Sequence, residues 1–365
     1  MSPSNIKILQ IIPQLPPAIC GVGDHARAIG QELSGSHGYD VNYLAVNDAE
    51  VRPAGQEYHA LAKRTAPELV AALRSAGLPH GASILLHFSG YSYGSRGICF
   101  WLIKGLKKFL NERPDVKLIS MFHELWSPAR LLSQSGWVVP VQKSVVRKLV
   151  EISSVVRTNR VEYQRQIERL CPSAVGRVGV NNICSNFGEP EDLLPISERK
   201  RQILIFQPPD CSTPNGRFFW ERWGQLRDQL GGLPTVIAGR IRQVPADSSI
   251  ELRGFVSKEE GSQLMSESQF AYFEYFDGYL GKSSLFGSLA AHGIVPVMPS
   301  VNHSELEGVV AGIQYLTPND RALNDVEALN RVSIDLQRWY ATHSITATAA
   351  DYDYSMSSQT VQECA

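Results

Sequence analysis

The stretch Ile6-Lys7-Ile8-Leu9-Gln10-Ile11-Ile12, the prolines Pro13, Pro16 and Pro17, and then Gly21-Val22-Gly23-Asp24-His25-Ala26 running on to Leu33 decide how the chain reads. A β-rich apolar run is halted by prolines, which cannot donate to a ladder. A glycine-bearing turn then opens a segment of helix-like composition. That is the first half of a βαβ unit. The alternation continues outward. Val41–Val46 and Ser83–Phe88 are short strand candidates, the latter ending in Ser89-Gly90-Tyr91, and Pro67–Ala76 is Ala/Leu-rich and helical in spacing. Gly97–Asn111 carries Ile98, Trp101, Leu102, Leu106, Phe109 and Leu110 near helical spacing, and Val116–Phe122 is a strand that ends in His123-Glu124. Strands alternating with helices of about 10–15 residues predict a parallel sheet.

Gly188-Glu189-Pro190-Glu191-Asp192, Pro195 and the charged run Glu198-Arg199-Lys200-Arg201 break the pattern, so residues 188–201 read as a linker. Beyond it the alternation restarts. Strand candidates are Gln202–Phe206, Thr235–Ala238, Phe270–Phe276 and Gly293–Met298, with helical candidates Phe218–Leu230, Lys258–Glu267 and Ser283–His292 between them. The expected architecture is α/β: two Rossmann-like doubly wound domains, residues 1–187 and 202–345, facing a central cleft. Asp325–His343 reads as an amphipathic last helix in a position to pack back on the N-terminal domain, and residues 346–365 as a loose polar tail. In open α/β sheets ligands gather outside the carboxyl ends of the strands, so the residues just after each strand carry the chemistry.

Composition sets outer limits. Of 365 residues, 43% are hydrophobic and 19% charged, which supplies packed cores and excludes extended disorder. Lys and Arg number 35 against 36 Asp and Glu, so nothing draws the chain globally to nucleic acid or anionic lipid. No nucleic-acid partner is expected, and any polyanion site must be local. Cys20, Cys99, Cys171, Cys184, Cys211 and Cys364 form no C-x-x-C pair and complete no zinc pattern with histidine, so no metal is expected. No stretch approaches the ~20 apolar residues of a spanning helix, and the N-terminus lacks the charged and apolar regions of a signal peptide. The expectation is a cytoplasmic protein, with a peripheral membrane contact left open.

Four groups of residues offer chemistry. Gly21-Val22-Gly23-Asp24-His25-Ala26 matches G-x-G-x-x-A: glycines let a backbone approach phosphate, and a helix N-terminus offers N–H groups. Eight residues with three prolines separate Ile12 from Gly21, which argues against a nicotinamide cofactor and leaves an anion seat or a plain helix-start loop. Gly278-Tyr279-Leu280-Gly281-Lys282-Ser283-Ser284 contains Gly-Lys-Ser, but Phe276 stands where a P-loop needs its first glycine. Lys282, Ser283 and Ser284 still put a cation and hydroxyls at a helix start, suited to phosphate or to an ordinary N-cap. His87 and His123 end two strands, where imidazole can hold a hydroxyl or act as a base. Glu124 can orient a sugar hydroxyl or cap a helix. Arg240, after Gly239, and Arg217, after Gly216, offer guanidinium groups to a diphosphate or are surface charges. Tyr91, Trp126 and Trp137 can stack on an acceptor ring or serve as loop packing.

The restarted α/β halves, the early Gly-Val-Gly loop, His123-Glu124 after a strand, and Ala290-Ala291-His292-Gly293-Ile294-Val295-Pro296-Val297 together resemble a GT-B glycosyltransferase, in particular the retaining group around glycosyltransferase family four. The resemblance covers about residues 6–345, and its most specific segment is Ala-Ala-x-Gly-x-x-Pro-Val. It implies a nucleotide-sugar donor in an interdomain cleft, held mostly by the C-terminal domain, and a carbohydrate or lipid-linked acceptor on the N-terminal domain. It implies that Gly21, Val22 and Gly23 lie near the donor diphosphate or the acceptor, that His123 holds the donor sugar, and that Gly254-Phe255 passes the nucleobase. No cofactor or metal is implied; cationic side chains and helix N-termini neutralise the leaving diphosphate.

The chain departs from the family in two places. The family's two glutamates, eight residues apart, fall on Leu280 and Ser288 when anchored on Gly293, or on Gly281 and Leu289 when anchored on Pro296. The usual Arg-x4-Lys diphosphate clamp is also missing, Phe206–Trp220 holding only Arg217. Lys282 is the candidate replacement cation, with Ser283 or Ser284 as hydroxyl. The expected activity is transfer of a hexose from a nucleoside-diphosphate sugar to a hydroxyl with retention, the leaving phosphate oxygen taking the acceptor proton. Asp24 is the candidate base should the reaction invert. A non-catalytic nucleotide- or sugar-binding protein on the same fold is the alternative, and a nicotinamide-dependent oxidoreductase has only G-x-G-x-x-A in its favour.

Overall fold

The computed structural model describes residues 7–15, 18, 20–47, 58–128, 136–299 and 307–358, which fall into two compact units: residues 1–182 with 345–365, and 183–344. In the first unit β1 (Lys7–Ile12), α1 (Gly21–His37), β2 (Asp40–Ala45), β3 (Tyr58–Ala60), α2 (Ala66–Ser75) and β4 (Ser83–Ser89) follow in order. Next come α3 (Gly90–Tyr93), α4 (Phe100–Glu112), β5 (Lys117–Glu124), α5 (Val139–Ile152), β6 (Val155–Thr158), α6 (Val161–Leu170) and β7 (Val178–Val180). The strands form one parallel sheet in the order β3-β2-β1-β4-β5-β6-β7. Every residue of β4 is buried, as expected of a central strand covered by helices on both faces. Leu9, Ile11, Ile84, Leu86, Leu118 and Phe122 share one core cluster with Leu69, Leu102, Leu106 and Val146 of the helices.

The second unit contains β8 (Lys200–Phe206), α7 (Pro214–Gln229), β9 (Thr235–Ala238), β10 (Ile250–Gly254), α8 (Lys258–Glu267), β11 (Ser268–Tyr272), α9 (Ser284–Ala291), β12 (Val295–Val297) and α10 (Val326–Ala341). Its parallel sheet runs β10-β9-β8-β11-β12. Phe219, Trp220 and Trp223 of α7 pack on Ile203, Ile237 and Tyr272. In both units the strand order reverses once, between β1 and β4 and between β8 and β11. Those are the switch points at which the two following loops diverge and leave room for a ligand.

Three features differ from the sequence expectation. The run read as a polar tail is helix: α11 (Ile345–Ser357) belongs to the first unit and packs on α1, burying Thr348, Ala349, Tyr352, Ser355 and Met356. Alanine and threonine gave it weak amphipathic contrast, and its polar residues are consumed in specific bonds: Asp351 with Arg157 at 2.7 Å and Asp353 with Tyr39 at 2.6 Å. Secondly, the helix that packs back is α11, whereas α10 stays in the second unit against α9. Thirdly, residues 183–187 and the whole 188–201 linker are part of the second unit. Its charged run is the entry to β8, where buried Arg199 donates to the carbonyls of Leu194 at 2.9 Å and His292 at 2.8 Å. Cys364 lies outside the described residues, and the other five cysteines are free thiols.

Candidate functional site

At the first switch point the loop after β1 turns directly into α1. Cys20 is the N-cap, its Sγ accepting from the Gly23 N–H at 3.4 Å, and Asp24 lies in the first turn, where a carboxylate suits the helix dipole. Gly23 is buried against the chain that precedes it: a Cβ there would sit 2.0 Å from the Gln14 carbonyl oxygen. Gly21 is exposed, with nothing within 4 Å of such a Cβ, and Val22 is half-buried. The two glycines therefore have different reasons to be there.

His87 near the end of β4 and His123 near the end of β5 are both buried, and their rings meet: His87 Nδ1 lies 3.2 Å from His123 Nε2. The other nitrogen of His87, Nε2, is 2.7 Å from Oε1 of Gln10, in the middle of β1. An amide oxygen only accepts, so Nε2 carries the proton and Nδ1 is the acceptor of the His123 N–H. His25 of α1 completes the group, edge-on to both rings with centroids 5.7 Å from His87 and 5.2 Å from His123. Burial pushes the His25 imidazole down to about 4 and that of His87 well below its usual value, so both are neutral at pH 7. Glu124, the exposed last residue of β5, accepts from Ser89 Oγ at 3.2 Å. Tyr91 on α3 is 53% exposed, its hydroxyl accepting from Gln142 Nε2 at 3.2 Å. Trp137 is 78% exposed, whereas Trp126 packs on the core under the Lys143 ammonium, 5.1 Å from the ring centroid.

The second unit gathers its own set at the carboxyl edge of its sheet. Arg217 is exposed in the first turn of α7, whose N-cap Thr213 accepts from the Gly216 N–H at 3.1 Å. Arg240 is exposed just after β9. Neither guanidinium has an ion-pair partner among the described residues. The strand ends beside it are tied together: Gln207 N donates to Ala238 O at 2.9 Å and Gly239 N to Gly254 O at 2.7 Å. Gly239 has φ 94°, and a Cβ there would sit 2.6 Å from Gln207 Cγ, so only glycine fits. Gly254 closes β10, and the Phe255 ring that follows is 73% exposed. After β11, Lys282 is half-buried with its ammonium 5.4 Å from the Tyr279 ring centroid. Ser283 is the N-cap of α9 and accepts from Phe286 N at 3.1 Å, and Ser284 begins the helix. Glu274, just past β11, is held by Arg222 in a two-pronged ion pair at 2.8 and 2.7 Å.

The predicted residues thus fall into two groups, each at one sheet's carboxyl edge. Gly21–Gly23, Asp24, His87, His123, Glu124 and Tyr91 are in the first unit, and Arg217, Arg240, Gly254, Phe255 and Lys282–Ser284 in the second. Sequence reasoning missed His25 and Gln10. Both left a signal: a polar residue on the Ala26, Ile29, Leu33 face of α1, and one inside the otherwise apolar β1.

No protein-family model matches the sequence, and no curated protein is significantly similar to it. Solved structures do match. An alpha-glucosyltransferase in complex with UDP and a 13-mer DNA is 13% identical, covering 96% of this chain and 98% of that one with a TM-score of 0.58. A lipopolysaccharide outer core galactosyltransferase is 12% identical, covering 96% and 99% with a TM-score of 0.55. The alpha,alpha-trehalose 6-phosphate synthase of Burkholderia multivorans is 9% identical, covering 97% and 98% with a TM-score of 0.57. The fold is that of the GT-B glycosyltransferases. Since one of these structures holds DNA, the fold lends no support to the expected absence of a nucleic-acid partner. No described helix is long and apolar enough to cross a membrane.

Proposed function

We propose that the chain is a glycosyltransferase that moves a hexose from a nucleoside-diphosphate sugar to a hydroxyl acceptor, with retention and with no metal ion at the diphosphate. The observation that carries this reading is the end-to-end likeness to transferases, some of them solved with UDP or a UDP-sugar, together with cations and a capped helix start at the second unit's switch point. The bond that breaks joins the anomeric carbon to the phosphate oxygen. Positive charge grows on the sugar ring and negative charge on the departing diphosphate. Lys282, Arg217 and Arg240 neutralise the diphosphate, helped by the Ser283 N-cap region of α9. Phe255 is the exposed face for the nucleobase. His123 and Glu124 orient the sugar. The leaving phosphate oxygen takes the acceptor proton.

A second reading rests on one specific observation. Leu280 and Ser288, where the resemblance leads one to look for carboxylates, are both fully buried. A protein that binds a nucleotide sugar without transferring it would tolerate that loss. Thermal-shift screening against UDP-, GDP-, ADP- and dTDP-sugars, with nicotinamide nucleotides as controls, tests both. Stabilisation by one donor series with hydrolysis or transfer supports the enzyme, and stabilisation without turnover supports the binder. No shift at millimolar donor would remove both.

A further inference from the structure

We propose that His25, His87 and His123 form a three-imidazole site for a divalent first-row transition metal, zinc above all, which ties the first turn of α1 to the ends of β4 and β5. One donor nitrogen from each ring lies within 4.8 Å of the others, and all three side chains are buried. Around a tetrahedral zinc with bonds of 2.0–2.1 Å, ligand nitrogens stand roughly 3.3 Å apart. The His87 Nδ1 to His123 Nε2 separation of 3.2 Å already meets that spacing. The His25 ring, with centroids 5.7 and 5.2 Å from the other two, supplies the third donor.

The surroundings also suit a metal ion. Gln10 Oε1 fixes the far nitrogen of His87 at 2.7 Å, so the Nδ1 lone pair faces inward, which is what an outer-shell partner does for a ligating histidine. A neutral imidazole is the form that ligates. When His123 coordinates through Nε2 its proton moves to Nδ1, so three neutral imidazoles bind the ion with no net proton released. Three imidazoles leave a fourth position for an oxygen, and imidazole ligands suit zinc, copper, iron and nickel. Because the ligands come from three separate elements, their spacing in the sequence matches no metal motif.

The test is metal binding by the full chain, freed of metal by chelator, with no nucleotide sugar present, so its result is independent of the transferase reading. Cobalt(II) titration is expected to saturate at one ion per chain with a visible d–d band that zinc displaces, and zinc is expected to raise the melting temperature. His25→Gln is expected to abolish the band. Gln10→Leu, which keeps all three ligands, is expected to weaken binding about tenfold. A wild-type chain with no cobalt band at millimolar metal overturns the proposal. So does a His25→Gln chain that binds as the wild type does, since that ion sits elsewhere. If His25→Gln does not fold, the wild-type titration and Gln10→Leu decide: a Gln10→Leu chain that binds as tightly as the wild type overturns the site.

Discussion

Ser288 Oγ accepts from Ser185 Oγ at 3.0 Å, so the α9 position read as having lost a carboxylate is bonded into the interior of its own unit. The same hydroxyl accepts from Asn186 N at 3.2 Å and donates to Ser284 O at 2.7 Å. The face is tight: a Cβ on neighbouring Gly287 would lie 2.7 Å from the Ile183 carbonyl oxygen. Ser288→Glu therefore does not restore a ribose contact. It buries a carboxylate among satisfied groups and is expected to cost about 3 kcal/mol or more by denaturant unfolding, with no gain in nucleotide-sugar affinity. A variant of wild-type stability that bound donor more tightly would show that Ser288 faces the ligand.

Gly21 and Gly23 separate packing from ligand approach. Gly23→Ala drives a methyl into the Gln14 carbonyl and is expected to cost about 1–3 kcal/mol whatever the ligand. Gly21→Ala meets open space, and its effect on unfolding should stay within about 0.5 kcal/mol. If this helix start seats a phosphate or a sugar, Gly21→Ala weakens ligand binding while the melting temperature of the free protein stays put. Unchanged affinity would mark the loop as structural.

Lys282→Ala isolates the proposed replacement cation. The ammonium is half-buried beside Tyr279 at the start of α9, so removing it should change stability little. A hydrogen bond to a charged phosphate is worth about 1.5–3 kcal/mol, so nucleotide-sugar affinity should fall roughly 10- to 100-fold by calorimetry. Retained affinity would move the diphosphate contact to Arg217 or Arg240.

Much of this was legible in the sequence where the local pattern was strong. β1, β2, β4 and β5 and the helices α1, α2 and α4 lie where apolar runs and helical spacing put them, since buried parallel strands read as continuous apolar segments. β3, β6 and β7, of 3, 4 and 3 residues, are too short to show a period and are strands only because the sheet pairs them. Strand-end reasoning brought His87 and His123 to one place. It missed His25, whose position depends on how α1 lies across the sheet, a tertiary fact that no local spacing encodes.

Two histidines of the second unit set its response to acid. Burial lowers His292 and His343 to about 4 from an ordinary 6.5. For His292 burial is the first cause and the Arg199 charge adds to it, together outweighing the Ser288 carbonyl 2.7 Å from Nδ1, which by itself favours the charged ring; Nε2 lies 2.8 Å from Ser262 Oγ. A depressed folded-state value means that the unfolded chain binds more protons between those limits. The stabilisation is therefore full above about 6.5 and is lost as pH falls toward about 4. At about 1.4 kcal/mol per unit, each histidine contributes a few kcal/mol of pH dependence. Denaturant unfolding between those pH values should show a rising slope, and His292→Gln should flatten it; an unaltered slope would assign the effect to other groups.

Removing the chain from Ile345 onward tests whether α11 is an integral helix of the first unit. The deletion uncovers the face of α1 that packs against Tyr352 and Ala349, both fully buried. It also strips Arg157 of its paired bonds to Asp351, at 2.7 and 3.1 Å, and of Ser355 Oγ at 2.7 Å. The Lys117 ammonium loses the Met356 and Ser358 carbonyls at 2.7 and 2.6 Å. An unpaired, mostly buried guanidinium is costly in itself, and the lost burial of Tyr352 and Met356 adds about 1.5–3 kcal/mol each. The expected outcome is loss of several kcal/mol from the first unit, read as a lower first transition or as aggregation. Asp351→Asn keeps the packing and removes only the charge, and should cost about 1–3 kcal/mol. A truncated chain that melts like the full one would return residues 345–357 to the loose tail suggested by their composition.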